Sequence, residues 1–480
     1  MSLFIGIDSG TQSTKTIVLD TTTGQVVATA RASHRMIPGL PPGHAEQDPK
    51  EWTAALDMTL EAVIAKVEPQ RIQGIGVGGQ QHGFVALDES AEVIRPAKLW
   101  CDTSTVEECT LLTQELGGTA WIIRELGLPF LPGYTAPKIL WLKRHEPANF
   151  KRLRQVLLPH DYLNYYLTGH YSAEAGDASG TALLNVRQRT WSTDAANAID
   201  RNLIEFLPQI SHPQTAIGVV RPQLAQRLGL PPATPVSTGG GDNMMSAIGT
   251  GTIREGIVSL SLGTSGTVYA YSERPLIDPN GEIAAFCDST GAWLPLCCTM
   301  NVTRVIDHFA SLFGFDKQQF EEAVRAVPAG AQGLRLLPYL DGERTPNLPQ
   351  ATGMLSGMTH RNLTPQHMAR AALEGVARGL QYGLKRFQKL GLTPTEIRLT
   401  GGSARSALWR QTLADLFGIP VIKIAADEGA ALGAAIHAAW MVEKGNEPRG
   451  SLSRLIERIV HVDESTRCIP DPDTHALYQS

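Results

Sequence analysis

Three sequence landmarks occur twice in this chain, in the same order in both halves. Each copy has a Gly/Thr turn between two β-rich runs, then a strand-like run with glycines at its end, then a Pro-Val run followed by an acidic residue and small residues. The landmarks lie at Gly10-Thr11 and Gly263-Thr264, at residues 75–80 and 397–403, and at residues 234–249 and 419–433. Recurrence in a fixed order indicates a duplicated unit. Because 480 residues exceed one ordinary core, we predict two α/β domains, residues 1–246 and 247–480, that flank a central cleft.

The composition narrows the class of protein. Apolar residues make up 42% of the chain and charged residues 19%, which is typical of a folded globular protein. The net charge of -5 argues against a nucleic-acid-binding surface. The six cysteines have no C-x-x-C spacing, which disfavours a zinc site and indicates reduced thiols. Since the chain has no signal-like start and no apolar run long enough to cross a bilayer, we expect a cytoplasmic protein without a membrane partner. The oligomeric state is left open, with a homodimer as one alternative.

Local patterns predict the elements that carry the landmarks. Residues 5–20 and 25–30 form a predicted β-meander, and residues 49–67 form a predicted amphipathic helix. Residues 72–79 are interpreted as a buried strand and residues 97–102 as another candidate strand. The buried strand contains a G-x-G-x-x-G string, but no helix start follows it, so we do not interpret it as a dinucleotide site.

Asp242 follows three glycines and opens the segment of small residues in the first half. Glycines at a strand end let the backbone turn sharply or approach a ligand. The carboxylate is either an ordinary helix N-cap or a group held rigidly and aimed into the cleft, and the two roles are compatible. At the equivalent place in the second half, Asp427-Glu428-Gly429 lacks the glycine lead-in. Only the first copy is therefore predicted to be catalytic.

Gly10-Thr11 and Gly263-Thr264 are predicted to lie at β-hairpin tips. The chain contains no Walker loop of the form G-x-x-x-x-G-K-[ST]. Two hairpin tips that face each other across a cleft can instead surround a triphosphate with backbone N–H groups and hydroxyls. Either tip alone would be an ordinary polar turn, but the repetition and the acid Asp8 before the first tip favour phosphate binding.

Four motifs together resemble those of the FGGY family of carbohydrate kinases, which have the ATP-binding fold of actin, heat-shock-70 and hexokinase. They are residues 6–15, 239–243, 261–266 and 399–406. Further stretches resemble the family members that act on pentuloses, at residues 46–49, 79–83, 95–100, 158–163 and 338–346. The resemblance implies an α/β fold of two duplicated actin-like, ribonuclease H-like ATPase domains, with sugar on the N-terminal side and nucleotide on the C-terminal side.

The resemblance also implies the reaction and its residues. It implies ATP-dependent transfer of the γ-phosphate to the terminal hydroxyl of a pentulose, with D-xylulose as the expected substrate and Mg²⁺ as the expected metal. Asp242 is implied as the general base, and Asp8 as the ligand of Mg²⁺, acting through water. The implied sugar-binding residues are Gln81, His82, Trp100, Asp242 and Asn243. The implied ATP-binding residues are Gly10, Thr11, Gln12, Ser13, Lys15, Gly263, Thr264, Ser265, Gly401, Gly402, Ser403 and Ser406.

Several residues have structural alternatives. His82 could be a core histidine, and Lys15 could be a solvated strand residue. Asp341, Glu343 and Arg344 are expected to form an ion-paired loop without ligand contact. Three further residues are expected to have no role in the chemistry: Glu374, Cys101 and Cys109.

Two departures from the family pattern affect the expected sugar pocket. Cys101-Asp102-Thr103-Ser104 stands where Asn-Asp-x-Arg is usual, and Gln81 stands where methionine is common. Another ketose or polyol, such as ribulose, a hexulose or an alditol, is therefore the alternative substrate. A non-enzymatic actin-like nucleotide switch is a further alternative, which would have no sugar site. The chain stops at Ser480, where family members continue as a helix, so we expect a shortened C-terminus.

Overall fold

The structure, a computed structural model, describes residues 2–425, 429–443 and 448–479. Asp427 and Glu428, from the second copy of the third landmark, lie outside the described residues. Within the described ranges, no helix combines the length and the apolar character that crossing a membrane requires.

The first half of the chain forms one large sheet, several two-stranded pairs and the helices around them. The strands of this half are β1 (Leu3–Ser9), β2 (Ser13–Asp20), β3 (Gln25–Ser33), β4 (Glu46–Gln47), β5 (Ile72–Gly79), β6 (Val85–Leu87), β7 (Ala97–Lys98), β8 (Gln155–Leu157), β9 (Ala173–Glu174), β10 (Leu184–Asn185), β11 (Thr190–Trp191), β12 (Ile210–Ser211), β13 (Ala216–Val219), β14 (Pro235–Ser237) and β15 (Gly240–Gly241). Its helices are α1 (Pro49–Ile64), α2 (Val106–Glu115), α3 (Thr119–Leu126), α4 (Thr135–His145), α5 (Pro147–Arg152), α6 (Pro159–Thr168), α7 (Ala175–Ser179), α8 (Thr193–Asn197), α9 (Pro222–Leu228) and α10 (Asp242–Gly249).

The second half forms another large sheet and a separate two-stranded pair, β20–β21. The strands of this half are β16 (Ile257–Leu262), β17 (Gly266–Ala270), β18 (Ala284–Cys287), β19 (Trp293–Thr299), β20 (Arg335–Leu337), β21 (Met354–Ser356), β22 (Glu396–Thr400), β23 (Val421–Ile424) and β24 (Val462–Cys468). Its helices are α11 (Thr303–Phe313), α12 (Lys317–Arg325), α13 (Pro365–Lys389), α14 (Ala407–Phe417), α15 (Gly429–Val442), α16 (Pro448–Ile459) and α17 (Pro472–Gln479). Short 3₁₀ turns lie at Pro69–Arg71, Leu203–Phe206, Ala331–Gly333 and Gly402–Arg405.

The two large sheets repeat one topology, which confirms the predicted duplicated fold. The first has the order β13-β14-β5-β1-β2-β3, with β15 paired to β5, and the second has the order β18-β19-β17-β16-β22-β23-β24. In each sheet an antiparallel hairpin, β1–β2 or β16–β17, is followed on its other side by two parallel strands. An antiparallel strand, β13 or β24, then completes that edge.

Strand β1 is buried on both faces, as expected for a strand between layers of helices. Ile5 and Ile7 belong to one apolar cluster with Trp52 of helix α1. Phe4 points to the other face and belongs to a cluster that includes Ala431 of helix α15. A helix from the second half thus packs on the sheet of the first half.

Helices α10 and α15 cross with almost no space between their backbones. A Cβ atom on Gly433 would lie 1.7 Å from the Met245 carbonyl oxygen, and one on Gly249 would lie 1.9 Å from the Gly429 carbonyl oxygen. Glycine is required because any side chain would prevent this approach. The predicted domain boundary between residues 246 and 247 falls inside α10, and the division stays a prediction.

Most of the predicted elements are present, with one clear error. The β-meander, the helix that begins at Pro49 and the buried strand 72–79 occur as β1–β3, α1 and β5. The strand predicted over residues 97–102 is wrong beyond Lys98. The chain turns there because the amide of Asp102 donates to the carbonyl of Leu99 at 3.1 Å.

Candidate active site

A cleft of about 580 Å³ lies between the two sheets and is lined from both halves of the chain. Eight of the residues expected at the site line it: Asp8, Gly10, Thr11, Gln12, Ser13, Lys15, Trp100 and Gly401. Lining residues that the sequence analysis missed include Arg31, Ser246, Thr250, Thr400 and Lys423. Arg31 could have been found, because it is the cross-strand neighbour of Lys15 in the β2–β3 hairpin.

The hairpin tip after β1 is held in place by a hydrogen-bonded network. Gln47 Nε2 donates to the Thr11 carbonyl at 2.7 Å, and Trp100 Nε1 donates to Thr11 Oγ1 at 2.9 Å. Thr11 Oγ1 in turn donates to Gln80 Oε1 at 3.0 Å. Gln80 Nε2 and Trp52 Nε1 both donate to Gln47 Oε1, at 3.1 and 2.9 Å. This tip is therefore set before any ligand arrives.

The equivalent tip after β16 has fewer contacts. The Gly263 amide donates to the Ser265 carbonyl at 3.0 Å, and the Thr303 amide donates to the Gly263 carbonyl at 3.2 Å. Gly263, Thr264 and Ser265 are all exposed and do not line the cleft.

The other residues expected near adenosine lie just outside the cleft. Gly402 and Ser403 form the 3₁₀ turn that follows Gly401. Ser406 is the N-cap of α14, where its hydroxyl accepts a hydrogen bond from the Trp409 amide at 3.3 Å.

Asp242 is the first residue of helix α10, and Gly241 is the N-cap. The prediction that Asp242 is the N-cap is therefore wrong by one position. An N-cap side chain accepts from the amide two or three residues further on, whereas Asp242 Oδ1 bonds the adjacent residue. It accepts hydrogen bonds from Asn243 N at 2.7 Å and Asn243 Nδ2 at 3.0 Å. The lead-in is tight: Gly239 has φ of 65°, and a Cβ atom there would lie 2.0 Å from the Val77 carbonyl oxygen.

The electrostatic surroundings of Asp242 favour a proton acceptor that titrates near neutrality. Burial, followed by the charges of Asp8 and Asp177, raises the pKa of Asp242 to about 7. A carboxylate with this pKa is largely ionised just above neutral pH and can also hold a proton.

Gln81 and Asn243 meet beside this carboxylate. Asn243 Nδ2 donates to Gln81 Oε1 at 2.7 Å, and Gln81 Nε2 donates to Met244 Sδ at 3.3 Å. Two amides and a carboxylate offer both donors and acceptors, as recognition of hydroxyl groups requires.

His82 has a constrained backbone and a neutral ring. Its φ is 64°, and its carbonyl accepts hydrogen bonds from Lys138 Nζ at 2.7 Å and Thr135 Oγ1 at 3.2 Å. The ring centroid lies 4.9 Å from that of Tyr134 and 5.7 Å from that of Phe286. Burial, then the charge of Lys138, lowers the pKa of His82 to about 3. The buried Nδ1 lies against Gly180, whose backbone opposes part of the lowering of the pKa of His82.

A buried ionisable cluster that the sequence analysis missed lies next to the end of β5. His160 Nδ1 lies 2.6 Å from Asp177 Oδ2, and His160 Nε2 lies 3.1 Å from Asp161 Oδ1. Burial alone would lower the pKa of His160, but Asp161 and Asp177 raise it to about 9. The only hint of this cluster in the sequence was that residues 158–163 resemble the family pattern, and the resemblance implied no role for them. The cluster acts on the site because the charge of Asp177 contributes to the raised pKa of Asp242.

The donor set at the cleft fits Mg²⁺. Asp8 lines the cleft, and after burial its charge is the largest cause of the raised pKa of Asp242. Two carboxylates close enough to interact in this way suit a hard cation that prefers oxygen ligands.

A second group of metal-type side chains, His44, Glu46 and Asp102, fits a metal less well. Lys98 Nζ lies 3.0 Å from Asp102 Oδ2, and 3.3 Å from both Glu46 Oε1 and His44 Nδ1. The ammonium group therefore takes the place that a cation would occupy.

The fold and the cleft define a class of protein. The β1–β2 tip and Asp8 line the cleft between two duplicated α/β units of actin-like topology. Asp242 does not line this cleft, but it lies close enough to Asp8 for that charge to raise its pKa. This arrangement defines an ATP-dependent phosphotransferase. The model of the FGGY family of carbohydrate kinases, N-terminal domain, matches residues 3–249, and that of the C-terminal domain matches residues 258–442. The chain belongs to the FGGY family of carbohydrate kinases.

Relatives and solved structures extend this likeness over the whole chain. A xylulose kinase from Haemophilus influenzae is 40% identical over 486 residues, covering 100% of this chain and 97% of the relative. The crystal structure of a xyloylose kinase from Brucella ovis has a TM-score of 0.92 at 30% identity, covering 99% of this chain and 96% of that one. A gluconate kinase from Lactobacillus acidophilus has a TM-score of 0.93 at 26% identity, covering 100% and 95%. Membership of a kinase family argues against the non-enzymatic nucleotide switch.

Proposed function

We propose that this chain transfers the γ-phosphate of ATP to the terminal hydroxyl of D-xylulose and so makes D-xylulose 5-phosphate. The observation that carries the substrate is the 40% identity to a xylulose kinase over the full length of the chain. The position of Asp242 beside the Gln81–Asn243 amide pair supports a phosphate acceptor with several hydroxyls.

In this proposal Asp242 is the general base. It takes the proton of the terminal hydroxyl while the hydroxyl oxygen attacks the γ-phosphorus. Asn243 keeps the carboxylate aimed, because its backbone amide and its side-chain amide both donate to Asp242 Oδ1. Gln81, Asn243 and the neutral imidazole of His82 bind the sugar hydroxyls, and Trp100 lies at the junction of the sugar and phosphate sites.

The nucleotide lies along the cleft between the two hairpin tips. Gly10 to Ser13, Lys15 and the exposed tip from Gly263 to Ser265 bind the phosphates, as donors aimed at anionic oxygens do in other phosphate nests. The segment from Gly401 to Ser403, with Ser406, lies beside adenosine. Asp8 would hold Mg²⁺, directly or through water, and the ion would supply charge neutralisation of the β- and γ-phosphates.

We place this reaction in the cytoplasm, since all six cysteines are unpaired thiols, as is usual in a reducing compartment. A homodimer stays a prediction, which the molecular mass in solution measures.

The substrate assignment is tested by a coupled ADP-release assay over a panel of sugars. The panel contains D-xylulose, D-ribulose, a hexulose, an alditol and gluconate, the last because of the likeness to a gluconate kinase. We expect the highest kcat/KM with D-xylulose and little ATP consumption without sugar. Turnover on gluconate or an alditol alone would overturn the pentulose assignment.

A further inference from the structure

The loop between strands β20 and β21 is pinned by a buried carboxylate. Glu343 Oε1 accepts hydrogen bonds from the Met300 amide at 2.7 Å and the Arg344 amide at 2.8 Å. Asn301 Nδ2 donates to Glu343 Oε2 at 2.9 Å and to the Gly342 carbonyl at 2.7 Å. These bonds fix the backbone at Arg344, so the direction in which its side chain leaves the loop is set by the fold.

The expectation that Arg344 forms an ion pair with Asp341 or Glu343 is wrong, whereas the expected absence of ligand contact is not tested. Asp341 pairs instead with Arg304, at 3.1 Å between Oδ2 and Nη1. Glu343 accepts a hydrogen bond from the backbone amide of Arg344 and does not pair with its guanidinium. Across the ranges that the structure describes, Arg344 has no carboxylate within ion-pair distance. Its guanidinium group is exposed and lies over the ring of Trp100, with Cζ 5.9 Å from the ring centroid.

This contact crosses the cleft from the second half of the chain to the first. Trp100 also donates from Nε1 to Thr11 Oγ1, in the hairpin tip assigned to phosphate. The indole therefore contacts the guanidinium with its ring face and that tip with its ring nitrogen. On the sugar side, burial dominates the pKa of His82, Tyr134 and Cys298, and the charge of Arg344 lowers all three. Arg344 thus faces the junction of the phosphate and sugar sites.

A guanidinium that faces this junction without a carboxylate partner among the described residues is available to bind an anion, and a neutral ketose supplies none. The group that passes through the junction is the phosphoryl group. We propose that Arg344 is a further catalytic residue, which binds the non-bridging oxygens of the phosphoryl group during transfer and of the phosphate ester afterwards. Planar guanidinium groups suit this task because they present several fixed donors to phosphate oxygens.

The transfer step balances without any change in Arg344, and this role rests on the proposed function. The sugar oxygen forms a bond to the γ-phosphorus, and the bond from that phosphorus to the β,γ-bridging oxygen breaks. ADP keeps the electron pair of the broken bond, and the hydroxyl proton passes to Asp242. Arg344 keeps its protons and donates hydrogen bonds to the oxygens on which negative charge is carried.

The test compares Arg344→Met and Arg344→Lys with a matched control, Arg335→Met. Arg335 is also exposed and lies at the far end of strand β20 from the loop, opposite Ser356. Removal of the guanidinium should lower kcat about 10²–10³-fold, as the loss of one preorganised donor to a transition state does. Binding of the sugar phosphate, measured by calorimetry, should weaken about tenfold or more, since a charged hydrogen bond is lost.

Four other readouts separate this role from a structural one, and one of them uses a further variant, Arg344→Ala. The KM for the neutral sugar and the unfolding temperature should change little in Arg344→Met. Arg344→Lys should recover part of kcat, and guanidinium salts should partly rescue Arg344→Ala. The Arg335→Met control should behave as the wild type.

The proposal is overturned by an unchanged kcat in Arg344→Met. It is also overturned if the affinities for neutral sugar and sugar phosphate fall by equal factors, because Arg344 would then bind a sugar hydroxyl. If the wild type prefers gluconate, and Arg344→Met raises the KM for gluconate without lowering kcat, the guanidinium binds a sugar carboxylate instead. The assays use whichever sugar the wild type turns over best, together with its phosphate ester. Failure on D-xylulose would thus reject the proposed substrate without bearing on Arg344.

Discussion

The two hairpin tips share a backbone plan but differ in what surrounds them. The tip between β1 and β2 lies in the wall of the cleft, where Thr11 is bonded to Trp100, Gln80 and Gln47. The tip between β16 and β17 is exposed, and its hydrogen bonds are backbone contacts within the loop and to Thr303. The same supersecondary unit has thus been made rigid in one half and left open in the other.

The difference indicates a division of tasks between the halves. The first half holds the carboxylates Asp8 and Asp242 and a hydrogen-bonded hairpin tip, to which we assign phosphate binding. The second half lines the opposite side of the cleft, with Gly401 and Lys423 among its lining residues. It also carries two exposed groups, the β16–β17 tip and Arg344. Groups on opposite walls can act together when the two halves close around both ligands, as cleft enzymes commonly do.

The largest effect should come from Asp242→Asn, in the half that we assign to catalysis. Loss of the general base should lower kcat about 10²–10⁴-fold, with a modest change in the sugar KM because the amide keeps the shape of the side chain. Steady-state assays measure both quantities. The control is Asp341→Asn, which removes an exposed carboxylate of the second half and should leave turnover unchanged. Near-normal turnover in Asp242→Asn would leave that residue only a structural role at the start of α10.

The comparison between the tips is tested directly by Thr11→Val and Thr264→Val. Both variants should weaken ATP binding, but only the first leaves Trp100 Nε1 and Gln80 Oε1 without a partner. Thr11→Val should therefore lower the free energy of unfolding by about 1–3 kcal/mol, whereas an exposed substitution such as Thr264→Val changes it by less than about 0.5 kcal/mol. Urea unfolding and the ATP KM provide the two measurements. Equal stability losses would mean that the tips are built alike.

His82→Asn tests the sugar side of the first half. Asparagine tolerates positive φ, so the backbone at 64° is kept while the imidazole is removed. We expect the sugar KM to rise about tenfold, the cost of a lost hydrogen bond in a buried site, with little change in the ATP KM. Kinetics with each substrate varied in turn distinguish the cases. Equal rises in both KM values would indicate a folding role for His82.

The smallest expected effect concerns pH. Asp242 must be ionised to accept a proton, so the rate should fall as the pH is lowered through about 7. Asp177 raises that pKa through its charge, and Asp177→Asn should therefore move the acid limb to lower pH. We expect roughly a threefold rise in the ratio of rates at pH 6 and pH 8, since one of several contributions is removed.

The control for this variant is its thermal unfolding, because Asp177 is buried against His160. An acid limb that stays in place in a fully folded Asp177→Asn variant would contradict the assigned electrostatic coupling.

The sequence by itself determined the duplication, the strands around both hairpin tips and the position of Asp242 after its glycines. Alternation of side chains and glycine turns can be recognised within a few residues of sequence. The duplication follows from the order of such short motifs along the chain. The family resemblance added the reaction and most of the residues by which the first half of the chain lines the cleft.

Only the tertiary structure decided what meets across the fold. It placed Arg344 over Trp100, gave Asn243 its bond to Gln81 and assembled His160 with Asp161 and Asp177. It also made Asp242 the first helical residue, with Gly241 as the N-cap. Residues far apart in the chain meet only when sheets and helices pack. The pKa of each buried group depends on that packing through burial and neighbouring charges, which local sequence patterns do not contain.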